Sequence, residues 1–329
     1  IGGRLRLRCT CPAGLRTSTV LQNSLPQAKL GKRTSQSRPP LCASSPPNWK
    51  NKHKMKLKLL LLLLIAFIAE NGNSQVKYGS NNGKYLTIRG TKLYYEEYGK
   101  GTPLILLHGG LGSIVDFKKN IPILSKKYKI IAFDSPGLGR SEFADSTMSY
   151  KLMAEYYSKA IDLLKLDSTY VAGWSDGGNV ALLLAEMRPD KIKKIAVSGA
   201  TYKLEGTTKS SLEEIKKFSD TLWVSKELKP WIKQYKEKSI SGNWKKYISE
   251  AKKMWFEEIY FEKSILSDIK IPTLLIYGDR DMYTPELGLE IHREIKNSQF
   301  CILPNTSHDV FWEKPELINQ ILLTFFNEK

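Results

Sequence analysis

The chain has 329 residues, 41% of them hydrophobic, with four Cys and a formal charge of +18, which excludes both a disordered chain and a disulfide-stapled miniprotein. The charge is unevenly spread: residues 1–54 hold eleven Lys or Arg and no Asp or Glu, whereas residues 75–329 hold 38 basic against 32 acidic residues, a balance of only +6. A nucleic-acid partner is therefore not expected from the overall charge.

Residues 1–54 mix Pro, Ser and Arg without strand or helix periodicity. They are expected to be either upstream sequence outside the working protein or a disordered basic arm. At Met55 the text changes to Lys56 and Lys58, eleven uninterrupted apolar residues at 59–69, and the polar run Glu70, Asn71, Gly72, Asn73, Ser74. A basic start and an apolar core this short read as an export signal over residues 55–74, since a membrane span needs about 20 residues. The expected product is a secreted or periplasmic protein trimmed near Ser74, covering residues 75–329, with no stable membrane insertion afterwards. Cys301 is the single Cys of that part, so no intrachain disulfide or thiolate metal cluster is available to it.

From Tyr85 onward, apolar runs of strand type alternate with helical spacing, the pattern of an α/β protein with a mostly parallel central sheet. Residues 85–98 predict a hairpin turning at Gly90. Strands follow at 104–107 and 130–133, a helix at 151–166, a strand at 170–172, a helix at 178–188 ending before Pro189, and a strand at 195–197. Residues 201–267 predict a helical cap holding Trp223, Trp231, Trp244 and Trp255, with fourteen Lys against ten acids. The aromatics are expected to line a pocket or to hold the cap on the core. Strands resume at 273–277 and 300–303, and a helix at 315–327 closes the domain.

The chemistry lies in the turns after those strands. Gly173, Trp174, Ser175, Asp176 and Gly177 form a G-x-S-x-G between strand and helix, where a sharp elbow presents the Ser hydroxyl. A serine nucleophile needs a base, and the base needs an acid to set its tautomer. Of four His, His53 precedes the domain, His108 ends a central strand and is expected to brace a loop, as is Asp134, and His292 falls mid-helix. His308, in the loop after the last strand, has the expected position. The acid is expected after the penultimate strand, where Asp279 and Asp281 compete; Asp281, deeper in the loop, is favoured.

Five phrases, LILLHGG at 104–110, FDSPGLGRS at 133–141, GWSDGG at 173–178, IYGDRD at 276–281 and SHDVFWEKP at 307–315, make the chain resemble the serine hydrolases of the α/β-hydrolase fold over nearly all of residues 85–327. GWSDGG is especially similar to the biphenyl-hydrolase-like and valacyclovir-hydrolase-like branch. The resemblance implies a triad of Ser175, Asp281 and His308, oxyanion amides at Gly110 (or neighbouring Leu111) and Asp176, and acyl transfer to water. Leu111 and Trp174 are expected to contact the substrate, a small ester, thioester or activated amide. No cofactor or metal is called for. The competing class is a non-catalytic binding protein that retains the fold. The side chain of Asp176 is left with two readings: a partner for a substrate amine, or a carboxylate favoured by the helix start.

Overall fold

Residues 79, 82–143, 147–221, 244–257 and 259–328 are described by the structure, a computed structural model of the chain. All of them fall within the second of the two compact units of the chain, residues 73–329. The basic segment at 1–54, His53 and the export signal at 55–74 lie outside the described residues.

The hairpin forms from β1 (Lys84–Ile88) and β2 (Thr91–Tyr98). Arg89 and Gly90 between them both have positive φ (52° and 77°), the turn conformation whose twist matches that of two antiparallel strands. β2 also pairs antiparallel with β4 (Lys129–Phe133), and every later pairing is parallel. With β3 (Pro103–Leu107), β5 (Thr169–Trp174), β6 (Ile192–Ser198), β7 (Thr273–Gly278) and β8 (Ser298–Leu303), the sheet runs β1-β2-β4-β3-β5-β6-β7-β8.

β3 shows why the sheet is buried on both faces. Ile105 and Leu107 enter one apolar cluster, Leu104 and Leu106 the other, as the two-residue side-chain period of a strand requires. The first cluster is completed by α2 (Tyr150–Leu163), α3 (Asp176–Met187) and α7 (Pro285–Glu294). The second is completed by a 3₁₀ turn (Ile114–Phe117), α1 (Ile121–Leu124), α8 (Val310–Glu313) and α9 (Pro315–Asn327). The 3₁₀ turn, α1 and α8 have four residues each, too few to write a helical period into the sequence.

Between β6 and β7 lie α4 (Lys209–Thr221), α5 (Trp244–Trp255) and α6 (Ser264–Asp268). α5 buries Tyr247, Ile248, Ala251 and Met254, a spacing that puts them on one helix face. Trp223 and Trp231 fall outside the described residues, and the side chain of Trp244 is not described. No helix among the described residues is long and apolar enough to cross a membrane.

Candidate active site

The parallel strands point their C-terminal ends the same way, so the loops after β3, β5, β6, β7 and β8 converge at one edge of the sheet, where ligands bind in open α/β sheets. Ser175 occupies the turn from β5 into α3 with φ 55° and ψ −121°, a conformation costing an L-residue about 1–3 kcal/mol. Neighbours hold it there. Its N–H donates to the Ser198 carbonyl at 2.8 Å, and its own carbonyl accepts from Gly178 (2.8 Å) and Asn179 (3.0 Å). These last two bonds start α3 two residues before the helix that the apolar period predicts. The elbow is closely packed: a Cβ on Gly173 would stand 2.2 Å from the Gly177 carbonyl oxygen, and one on Gly177 would stand 2.2 Å from that of Leu107.

His308 and Asp281 arrive from the loops after β8 and β7. His308 Nε2 lies 2.8 Å from Ser175 Oγ, and its Nδ1 lies 2.8 Å from Asp281 Oδ1. With Asp281 accepting at Nδ1, the proton sits there and Nε2 is free to accept from the serine hydroxyl. Asp281 also accepts from the N–H groups of Tyr283 (3.2 Å) and Gly278 (3.4 Å). Asp279 faces elsewhere and takes the Thr306 N–H at 3.0 Å. Burial pulls the His308 pKa down, but the bond to Asp281, its charge, and the charges of Asp309 and Asp176 outweigh burial and hold it above the usual histidine value. Trp174 fixes the same loop from below, its indole N–H donating to the His308 carbonyl at 2.8 Å. Gly199, after β6, makes room for the ring: a Cβ there would come within 2.6 Å of His308 Cε1.

The loop after β3 brings Gly109 and Gly110 against the elbow. A Cβ on Gly109 would stand 3.0 Å from that of Ser175, and one on Gly110 would meet Asp176 Oδ2 at 2.6 Å and the Trp255 ring at 2.7 Å. His108 braces this loop from inside. Its Nδ1 is 2.7 Å from the Gly109 carbonyl and its Nε2 accepts from the Ser135 N–H at 2.9 Å. Complete burial lowers its pKa to about 4, so it stays neutral and takes no part in proton transfer near neutral pH. Asp134 ties the neighbouring loops together, accepting from the N–H groups of Ile114 (2.9 Å) and Arg140 (2.8 Å). His292 is bonded to Ser298 and stacked on Phe300, apart from these residues.

A cavity of about 240 Å³ opens over Ser175 and His308, walled by Trp174, Asp176, Trp255, Tyr260 and Tyr283 among others. Two expectations change here. Leu111 is not among the residues that line this cavity: its backbone turns left-handed (φ 60°) and its side chain packs against the first apolar cluster. The Asp176 carboxylate is not free. Its Oδ1 accepts from the Tyr150 hydroxyl at 2.8 Å, and the Trp255 indole N–H reaches Oδ2 at 3.0 Å and Oδ1 at 3.2 Å. Burial raises its pKa, against the pull of those two donors and of His308. Asp176 thus joins the cap to the elbow, which sequence reading could not find, because its partners sit in α2 and α5, far away along the chain. Gly199 is not among the site residues the sequence points to, although a Gly two residues past a predicted strand is a readable signal. Tyr283 carried none.

A family model described as alpha/beta hydrolase fold matches residues 102–223. The chain is 30% identical over 262 residues to the uncharacterized hydrolase YugF of Bacillus subtilis, covering 96% of that protein with 73% of its own length. It is 25% identical over 248 residues to the human serine hydrolase BPHL, with 73% of this chain and 84% of that one covered. An enol-lactonase from Burkholderia xenovorans LB400 superposes with a TM-score of 0.61 at 20% identity, covering 74% of this chain and all (100%) of that one; at this identity the likeness concerns the fold.

Proposed function

Because the chain belongs to the α/β-hydrolase fold family, we propose that it is a serine hydrolase cleaving small ester, thioester or activated amide substrates through an acyl-enzyme. The observation that carries the reading is the continuous chain of contacts from Ser175 Oγ through His308 to Asp281, 2.8 Å at each step. In this reading His308 Nε2 takes the hydroxyl proton as Ser175 Oγ attacks the carbonyl carbon. Asp281 steadies the imidazolium that forms. The proton then passes to the leaving group, and water, activated by the same imidazole, releases the acid.

The N–H of Asp176 is the first of α3 and has no carbonyl one turn below it, so it is available to a developing oxyanion. The Gly110 amide is its proposed partner, each donor being worth about 10²–10³-fold in rate. The cavity, at about 240 Å³, is smaller than the roughly 300–1,000 Å³ of pockets that bury drug-sized ligands, which supports a small substrate.

A fluorophosphonate probe tests the reading: it should label the protein, and Ser175→Ala should abolish both labelling and ester turnover. Turnover in Ser175→Ala within tenfold of the parent would refute it. The proposal extends to location. A chain started at Met55 is exported on Lys56, Lys58 and the apolar run 59–69, and is trimmed near Ser74.

A further inference from the structure

Tyr283 is 7% exposed and forms part of the cavity wall. Its ring stands nearly edge-on to that of His308, centroids 5.6 Å apart at 76°, and its main-chain N–H is held by Asp281. The phenol is therefore fixed beside the reacting groups. Two other tyrosines of this region spend their hydroxyls on the protein: Tyr150 donates to Asp176 at 2.8 Å, and Tyr260 donates to the Trp255 carbonyl at 2.8 Å. The indole N–H groups of Trp174 and Trp255 are likewise spent, on the His308 carbonyl and the Asp176 carboxylate. Among the described residues, no acceptor takes the Tyr283 hydroxyl. The hydroxyl is not sealed off as an unpaired buried atom; with its residue on the cavity wall, it is open to pair with what enters there.

Resting on the serine-hydrolase reading above, we propose that the Tyr283 hydroxyl is a specificity-determining donor that binds a neutral hydroxyl group carried by the substrate next to its scissile carbonyl. The cavity chooses among polar groups by charge. Asp176 and Asp309 both contribute to its wall, so a substrate carboxylate meets like charge where screening is weak. An ammonium is drawn to the same carboxylates but has no lone pair to accept the phenol's proton, so the donor that Tyr283 offers goes unused. A plain alkyl chain leaves the phenol unpaired. A hydroxyl accepts from Tyr283 and keeps a proton of its own for a second acceptor. Burial raises the Tyr283 pKa well above the usual tyrosine value, with the Tyr260 hydroxyl and the Asp176 charge adding to it, so the phenol keeps its proton throughout the working range.

The test compares p-nitrophenyl butanoate with its 2-hydroxy and 3-hydroxy counterparts in the parent enzyme and in Tyr283→Phe, which removes one oxygen and keeps the ring against His308. The parent should favour one hydroxy ester by about 10-fold in kcat/KM. Tyr283→Phe should erase that preference, bringing the kcat/KM ratio of the hydroxy ester to butanoate down to about 1. Calorimetric binding of butanamide and the matching hydroxybutanamides to both proteins provides a readout that needs no turnover. Absence of a hydroxyl preference in the parent, or an equal loss on all substrates in Tyr283→Phe, would overturn the inference and leave the hydrolase reading standing. If no ester is turned over yet the amides show a hydroxyl preference that Tyr283→Phe removes, the hydroxyl-binding role of Tyr283 stands and the hydrolase reading falls.

Discussion

His308 has two aromatic neighbours, Trp174 with centroids 5.8 Å apart and Tyr283 with centroids 5.6 Å apart, and is under the influence of three carboxylates, Asp281, Asp309 and Asp176. Asp281 alone touches Nδ1, so Asp281→Asn should lower kcat by about 10³–10⁴-fold through loss of the working tautomer. Asp279→Asn, which loosens a main-chain bond to Thr306, should leave kcat within tenfold; the reverse ranking would reassign the acid. The remaining charges set the pH response. An imidazolium cannot accept the serine proton, so kcat/KM should rise with pH as His308 deprotonates, and a raised pKa moves that limb upward. Asp309→Asn removes one of the charges that raise it. Its acid limb should shift to lower pH in a kcat/KM profile, and an unmoved or upward-shifted limb would show that Asp309 does not act on the ring.

Elements were readable to different degrees. β3, β4 and β7 are short continuous apolar runs, and their glycine-rich exits mark where side chains with chemistry would stand. Ser175, Asp281 and His308 could be picked out because each lies in the turn or loop that follows a strand. The strand order could not, since nothing local in β2 says that it will pair with β4 as well as β1. Cross-element ties were equally hidden. Asp134 is one: it joins the loop after β4 to the 3₁₀ turn by accepting two N–H groups, and burial still lifts its carboxyl to about 6. A carboxamide has one acceptor for two donors, and its NH₂ would face the second N–H. Asp134→Asn should therefore cost about 1–3 kcal/mol, seen as a drop of several degrees in Tm, and an unchanged melting curve would remove the strut from the account.

At the scale of the whole molecule, the basic excess and the domain are separate things: +11 belongs to residues 1–54, and residues 75–329 carry +6. Expression from Met55 followed by N-terminal sequencing should return a product beginning near Gln75, and recovery of a chain still beginning at Met55 would refute trimming. The site itself is gathered from distant parts of the domain. Ser175 and His308 are 133 residues apart along the chain, and His308 follows β8, which occupies the end of the sheet's strand order. On a ribosome adding about 5–20 residues per second, the serine emerges on the order of ten seconds before the histidine that would activate it. On the serine-hydrolase reading, a partly synthesised chain carries an inert alcohol at position 175, and hydrolytic competence awaits the docking of β8. Any chain cut short before β8 would be born without it, however well its first strands had paired.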